Sequence, residues 1–201
     1  MAISTKAELH TAIANWLNRS DLTDRIPEFI ALAEASFNRI LRVRDMLVRS
    51  TASVTSQYIS IPTDFLEMLN IELTSTSPPK RLVYITSDRS DDYREKQNNQ
   101  TGTPGYYTIE GNSIHLLPTP STEATVQLNY YQDIPALSGL ADSDNNWLLL
   151  AHPDVYLYGT LMQASPYLMD QEKTQIWDGL LARSLQEVQM SDEKSRYAGG
   201  T

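Results

Sequence analysis

The feature that most limits the possible folds is a change in the spacing of apolar residues along the chain. Near both ends, apolar side chains recur every three or four residues, as at Leu9, Ile13 and Trp16, which is the spacing of one face of an α-helix. Between about residues 46 and 131 the pattern changes to short β-branched and aromatic runs separated by Pro, Gly, Asn and Ser. The sequence therefore predicts helices at both ends and strands between them.

Each end of the chain carries the signals of two helices. Thr5 and Glu8 have the spacing of a capping box, so the first helix is expected to begin beside Thr5. Pro27 and Pro153 are suited to the first turns of the second and third helices. Asp170 is expected to cap a long fourth helix. This order of elements is typical of a sheet inserted into a helical bundle.

The predicted fold class is α+β, a four-helix bundle (two N-terminal, two C-terminal helices) with an inserted antiparallel β-sheet module. The N-terminal helices occupy residues 1–45, the module 46–140, the C-terminal helices 141–190 and a flexible tail 191–201. Within the module, Glu110-Gly111-Asn112 predicts a hairpin because Gly and Asn tolerate positive φ. A polar helical turn is expected at 87–96, and the predicted strands are 47–55, 58–61, 66–74, 81–85, 106–109, 113–117 and 125–131.

Charge and composition argue against several classes of function. A formal net charge of -9 repels phosphate backbones, so we expect no tight or sequence-specific DNA binding. A chain without cysteine has no disulfide framework and no thiol chemistry. No apolar run approaches the roughly 18 residues of a membrane span, and residues 1–6 do not resemble a signal peptide. We therefore expect synthesis in the cytosol and no membrane association.

Reactive side chains do not form a recognisable catalytic motif. The sequence lacks a glycine-rich phosphate loop, a nucleophile elbow and a His-Glu-x-x-His zinc motif. Residues 142–146 begin like a calcium loop, but Trp147 and Pro153 stand where that loop requires Gly and a bidentate Glu. The three histidines lie in different predicted elements: His10, His115 and His152. We predict no catalytic residue, no metal site and no cofactor, so the chain is not expected to be an enzyme.

Charged and aromatic groups in the sequence are interpreted mainly as surface features. Asp91 and Asp92 are adjacent on a predicted helical turn and point in different directions, which favours a solvated charge run over an acid–base pair. The tyrosines of the predicted strands indicate sheet packing or a protein interface, with stacking on bases or sugars as the alternative: Tyr106, Tyr107, Tyr130 and Tyr131. The arginines near the end of the second helix suit the helix dipole, while a phosphate site and a salt bridge to a neighbouring subunit remain alternatives: Arg39, Arg42 and Arg44.

Several segments, taken in order, resemble the head-to-tail adaptor proteins of tailed bacteriophages. Each segment consists mainly of turn and packing residues, so the resemblance depends on their order and spacing over most of the chain. The segments are residues 27–35, 61–67, 102–104, 116–120, 130–131, 146–149 and 152–159.

The resemblance implies a structural virion protein of the head–tail connector, assembled in the host cytoplasm. Such a protein docks on the portal as a homo-oligomeric ring of about twelve copies, which is a dodecamer if the number is exact. It extends the channel through which genomic DNA passes, and it provides the platform for a tail or nozzle protein.

From the resemblance we predict two interaction sites. Arg39, Arg42, Arg44, Tyr106 and Tyr107 are predicted to lie in the interface between subunits. The C-terminal tail is predicted to order on the portal, with Tyr197 as aromatic anchor and Arg196 as cationic anchor, although a terminus without a task explains the same residues. The predicted portal-binding residues are Ser195, Arg196, Tyr197, Ala198, Gly199, Gly200 and Thr201.

Two other classes of function remain as alternatives. The Tyr-rich β insertion is compatible with a module that binds a carbohydrate or a peptide. A hydrolase that uses His152 and Asp154 is disfavoured, because neither a nucleophile nor a metal ligand lies near them in sequence.

Overall fold

The computed structural model describes residues 3–19 and 21–198. The fold is mixed α+β, which confirms the predicted class. The chain divides into two compact units between Asp45 and Met46 and again between Asp133 and Ile134. The first unit is mainly helical, and the second, which is the central segment, contains the strands.

Six α-helices occur in the described residues, and five of them belong to the first unit. The helices are α1 (Lys6–Leu17), α2 (Ile26–Ile40), α3 (Ser87–Lys96), α4 (Trp147–Ala151), α5 (Pro153–Tyr167) and α6 (Gln171–Ala198). The predicted capping box is present, because the Thr5 hydroxyl accepts from the Glu8 N–H and the Glu8 carboxylate accepts from the Thr5 N–H. Proline occupies the first turn of α2 and of α5, as the sequence predicts.

The helices of the first unit are organised around α5. This helix packs against α1, α2, α4 and α6. It approaches α2 closely at Gly159, where a Cβ atom would collide with the ring of Phe37. The same ring packs edge-on against Tyr156, with the ring centroids 5.5 Å apart. Because the packing centres on α5 and includes the short α4, the four-helix bundle stays a prediction while the α+β class is established.

The last helix is longer than the sequence predicts. The expected tail begins at residue 191, but α6 continues to Ala198. The Asp192 carboxylate accepts a hydrogen bond of 2.9 Å from the backbone N–H of Arg44 and forms an ion pair of 2.8 Å with Arg196. These contacts hold the end of α6 against the segment after α2, so the prediction of a tail without regular structure is wrong through Ala198.

Residues 134–140, which we assigned to the β module, lie in the first unit. The backbone N–H of Ile134 donates to the Asn38 side chain, and that of Leu137 donates to the Glu34 carboxylate, both at 2.9 Å. These two bonds attach the segment to α2. Local sequence carries no signal for bonds between residues about a hundred positions apart, so the predicted boundary falls too late.

The second unit contains two four-stranded sheets and one additional strand pair. Strand orders are β1-β10-β3-β4, β2-β8-β7-β5 and β6-β9. Side chains from both four-stranded sheets form one buried cluster that includes Ile71, Ile114 and Val126. The strands are β1 (Leu47–Val54), β2 (Tyr58–Ser60), β3 (Phe65–Leu73), β4 (Lys80–Arg81), β5 (Val83–Tyr84), β6 (Thr101–Gly102), β7 (Tyr106–Glu110), β8 (Ser113–Leu117), β9 (Thr119–Pro120) and β10 (Ala124–Gln132).

The prediction that the module is antiparallel is wrong for two strand pairs. Strand β5 runs parallel to β7, and β6 runs parallel to β9. Parallel neighbours require a crossover, and residues 85–105 supply one for β5 and β7 because they contain α3. The predicted hairpin is confirmed: Glu110 pairs with Ser113, and Gly111 has φ of 57°.

Candidate interaction surfaces

A buried polar network holds the helices of the first unit in register. The Tyr156 hydroxyl donates to the Glu34 carboxylate at 3.0 Å, and the Asn146 amide donates to the Tyr156 oxygen at 2.6 Å and to the Pro135 carbonyl at 2.7 Å. The Asn146 side chain also caps α4 by accepting from the Leu149 N–H. Burial raises the pKa of both Glu34 and Tyr156. The network is enclosed by protein, so its role is to position α2, α4 and α5.

A second polar network, which contains two aspartates, lies at the end of β10. The Tyr130 hydroxyl is 3.1 Å from the Asp64 carboxylate, and the Asp133 N–H donates to the Asp64 carbonyl at 2.8 Å. Burial, followed by the hydrogen bond to Asp64, raises the pKa of Tyr130 to about 12. Burial and the negative charge of Asp64 raise the pKa of Asp133. These contacts fix the end of β10 against the segment that contains Asp64.

The histidines are placed in separate surroundings, as the sequence predicts. His10 lies in α1, and His152 lies between α4 and α5. His115 of β8 is almost fully buried in the other unit, where Arg94 lies 3.2 Å and Glu110 3.4 Å from its Nδ1. No group of three potential metal ligands occurs in residues 3–19 and 21–198. No described helix is both long enough and apolar enough to cross a membrane.

The predicted portal-binding residues are split by the structure into a helical part and an undescribed part. Ser195, Arg196 and Tyr197 lie in the last turns of α6, and Ala198 ends the helix. The Tyr197 side chain is 81% exposed, whereas the Arg196 guanidinium pairs with Asp192 and lies 3.5 Å from the Arg42 carbonyl. The remaining predicted residues lie outside the described residues: Gly199, Gly200 and Thr201.

The three arginines near the C-terminal end of α2 have different surroundings. Arg39 is exposed on the last turn of α2. Arg42 donates to the carbonyls of Asn38 and Leu41 at 2.8 and 2.6 Å, so it caps the C-terminal end of the helix. Arg44 is exposed and lines a cleft of about 150 Å³ between the segment after α2, the α4–α5 corner and α6. Arg39 and Arg44 therefore have side chains available for another subunit, while Arg42 already has a structural role.

The tyrosine pair at the start of β7 divides between the surface and the core. Tyr106 is 38% exposed and packs against Tyr93 of α3, with ring centroids 5.4 Å apart. Tyr107 is only 6% exposed and packs inward against Tyr84 at 5.6 Å. Successive side chains of a strand point to opposite faces, which explains the division. The ring of Tyr107 is therefore enclosed within its own unit, whereas Tyr106 has surface available to a neighbouring subunit.

A groove beside Tyr106 was missed by the sequence analysis. It has a volume of about 310 Å³ and lies between α3 and the edge of the second sheet. Its lining combines aromatic, apolar and charged side chains: Ile85, Arg89, Asp92, Tyr93, Lys96 and Tyr106. The available signal was the pair of cations seven residues apart on α3, which we interpreted as part of a solvated polar helix.

The described residues present exposed aromatic and charged surfaces on an α+β scaffold. These surfaces favour the class of structural proteins that act by binding other proteins. The chain belongs to the SU10 adaptor protein family, whose family model matches residues 4–201. This match confirms the sequence-based resemblance to phage adaptors. No curated protein matches the chain. Membership of this family indicates a structural adaptor role in a bacteriophage virion, with portal and tail proteins as the implied partners.

Proposed function

We propose that this chain is a head-to-tail adaptor that docks on the portal as a ring, extends the DNA channel and provides the platform for tail attachment. The match to the SU10 adaptor protein family over residues 4–201 carries this proposal. The exposed tyrosines and the unpaired Arg81 and Arg89 of the central unit support it, because aromatic and arginine side chains are enriched in protein interfaces. A ring requires one face of each copy to contact a different face of the next copy.

Mass measurement of the purified protein with and without its portal tests this proposal. We expect a defined complex in which many copies of the chain are bound to each portal assembly, with a single stoichiometry. A chain that remains unbound at micromolar concentrations of both proteins, or is missing from purified particles, contradicts the proposal.

We propose that the end of α6 and the residues after it contact the portal: Ser195, Arg196, Tyr197, Ala198, Gly199, Gly200 and Thr201. Tyr197 supports this proposal because a tyrosine ring that is 81% exposed contributes little to the stability of the free protein. A large exposed aromatic side chain gains most when a partner buries it.

Replacement of Tyr197 separates portal binding from folding. Tyr197→Ala is expected to leave the thermal unfolding midpoint unchanged and to weaken portal binding at least tenfold. Deletion of residues 195–201 is expected to have the same two effects. Met169→Ala is the matched control, because Met169 is 91% exposed at the turn between α5 and α6. Equal portal binding by Tyr197→Ala and Met169→Ala would remove the proposed contact.

The acidic composition is proposed to keep DNA mobile in the channel. A net charge of -9 repels the DNA backbone and lowers its tendency to adhere to the wall. To test this, exposed carboxylates are replaced by lysine one at a time, and particles are assembled with each variant. If a replaced carboxylate lines the channel, those particles are expected to eject DNA more slowly at low salt, because the new lysine attracts the DNA backbone. If every such variant ejects DNA at the normal rate, the charge serves only solubility.

The groove beside Tyr106 also supports one alternative, a carbohydrate- or peptide-binding module. Tyr93 and Tyr106 form an aromatic wall suited to a sugar ring or a peptide side chain. Glycan or peptide binding by the purified protein that is lost in Tyr106→Ala would favour this alternative. If the purified protein binds neither glycans nor peptides, the groove is explained by the adaptor role.

A further inference from the structure

The cations around the groove lack carboxylate partners, although the chain is acidic. Lys80, Arg81, Arg89 and Lys96 are all exposed, and in the part of the chain that the structure describes none of them forms an ion pair. Elsewhere, Lys6 and Arg183 pair with Asp142 and Glu187. The central unit, residues 46–133, contains six lysines and arginines against ten aspartates and glutamates. Two of its six cations, Arg89 and Lys96, line the groove on either side of Asp92, so this part of the lining carries a net positive charge that is available to an external anion.

The surface around these cations is also apolar and has an open strand edge. Val83 and Tyr84 form the outermost strand of their sheet and are 56% and 54% exposed. The N–H groups of Val83 and Ile85 donate to the carbonyls of Gly105 and Tyr107, so the intervening Tyr84 directs its backbone polar groups to the open side. The ammonium group of Lys80 lies over Gly105, directly before Tyr106. Apolar area with a cationic rim is typical of a protein contact surface.

The same helix that supplies two of the cations carries an acidic ridge. Asp88, Asp91 and Glu95 are spaced three and four residues apart, so they share one face of α3. Ser90 is fully buried on the opposite face, and the side chain of Asp91 is 75% exposed. The ridge therefore points away from the unit. Asp91 pairs with Arg94 at 3.5 Å, so Asp88 and Glu95 are the carboxylates of the ridge that no described cation pairs with. Arg89 lies about 100° around the helix from Asp88, and Asp92, which also lines the groove, lies about 40° from Asp88. The ridge and the groove are therefore adjacent surfaces that meet at Asp92.

We infer that the acidic ridge of α3 in one copy of the chain docks against the cationic groove of the next copy. This inference rests on the proposed ring and names the contact between its neighbouring subunits. Each copy presents both complementary surfaces, which is the requirement for a head-to-tail contact that propagates around an axis. Nucleic acid is a poorer occupant, because the acidic ridge beside the groove and the net negative charge of the unit both repel phosphates.

Charge reversal on either surface tests the contact. Arg89→Glu with Lys96→Glu makes the groove acidic, and Asp88→Lys with Glu95→Lys makes the ridge basic. Each double variant alone places like charges in contact, so we expect at least tenfold fewer copies in particles assembled with that variant supplied in trans. Lys173→Glu with Arg183→Glu changes the net charge by as much as the groove variant, on exposed positions of α6 that lie away from the proposed portal contact, and normal incorporation is expected.

A mixture of the two reversed variants gives the decisive result. The acidic ridge of the groove variant fits the basic groove of the ridge variant, and the basic ridge of the latter fits the acidic groove of the former. We therefore expect the mixture to restore incorporation with the two variants in equal amounts. Restoration also shows that both variants fold. The milder changes Asp88→Asn with Glu95→Gln, which remove charge without reversing it, are expected to give an intermediate loss.

Each outcome separates this contact from the proposed function. If the groove variant enters particles as well as the unaltered chain, or if the mixture of reversed variants restores nothing, the inference is overturned while the adaptor role stands. If the unaltered chain is absent from particles, the adaptor role fails. The contact is then tested by measuring the mass of the purified proteins. If the unaltered chain, both variants and their mixture are all monomeric, the inference is overturned. If the unaltered chain and the mixture associate and each variant alone does not, the inference is supported.

Discussion

Glu34 is the residue whose chemistry departs most clearly from its sequence context. It stands on α2 in an otherwise ordinary amphipathic pattern, yet its carboxylate is nearly enclosed and accepts from Tyr156 and from the Leu137 N–H. Burial raises its pKa above the usual 4.5, and the two hydrogen bonds oppose that change. A raised pKa means that the folded protein favours the protonated carboxyl, so ionisation of Glu34 reduces stability.

The pH dependence of stability is expected to reveal this effect. As the pH rises from the unfolded-state pKa to the higher folded-state pKa, the free energy of unfolding of the wild type should fall relative to that of Glu34→Gln. Below this window the difference is constant, and above it the difference is constant again. Denaturant unfolding of both proteins from about pH 3 to about pH 8 measures it. Glu28→Gln, an exposed change on the same helix, should follow the wild type. Parallel curves for Glu34→Gln and the wild type would contradict the prediction.

Single residues also mark the limit of sequence-based prediction. Thr5, Glu8 and Gly111 act through neighbours within a few positions, so their capping box and hairpin could be predicted. Tyr106 and Tyr107 are chemically identical neighbours, and only the orientation of β7 in its sheet decides which one is exposed. Arg89 and Lys96 appear in sequence only as part of a mixed charge run. The groove that they line has Tyr106 on its other side, and a partner that is ten or more residues away gives no local signal.

At the scale of elements, local periodicity predicts the helices and most strands but not their long-range partners. The parallel pairing of β5 with β7 depends on the crossover through α3, which was predicted as a polar turn without a topological role. The last turns of α6 lack an apolar stripe, and they are held by Asp192 across to the Arg44 backbone. Polar contacts between distant segments leave no periodic signal, and for this reason the predicted helix ends too early.

The contact between α2 and α5 makes a sharp prediction about glycine. In Gly159→Ala, the added methyl group meets the ring of Phe37, and the helices must separate or the ring must move. We expect destabilisation of about 1–3 kcal/mol. Gly179→Ala on α6 has no atom within 4 Å of the new methyl group, so helix propensity alone should raise stability by about 0.5–1 kcal/mol. Denaturation midpoints of the two variants should move in opposite directions, and a stabilised Gly159→Ala would refute the packing argument.

The end of α6 provides a second element-scale prediction. Asp192→Ala removes the acceptor of the Arg44 N–H and the partner of Arg196. We expect amide hydrogens of the segment after residue 191 to exchange at least several-fold faster, with a loss of global stability of about 1 kcal/mol. Glu193→Ala changes an exposed neighbour and should leave exchange unchanged. Equal exchange in both variants would show that the end of the helix does not depend on Asp192.

For the whole molecule, the central unit is built as an insertion with adjacent ends. Strands β1 and β10 begin and end it, and they pair directly, with Leu47 opposite Tyr131. Its buried cluster is drawn from its own two sheets. The two segments of the first unit likewise share a helical core centred on α5. Each unit thus has the closed core that independent folding requires.

Separation of the two units tests this view of the architecture. We expect residues 46–133 expressed alone to unfold cooperatively and to show dispersed amide resonances, because β1 and β10 bring the cut ends together on adjacent strands. The complementary protein, in which a short Gly-Ser linker joins Asp45 to Ile134, should retain helical circular dichroism and the hydrogen bonds that Glu34 accepts, so it should reproduce the pH dependence expected of the intact chain. As a control, a fragment ending at residue 123 lacks β10, which lies between β1 and β3, and it should not fold. Cooperative unfolding of that shorter fragment, or collapse of 46–133 into an aggregated state, would show that the central unit is not the folding unit that its paired ends and closed core indicate.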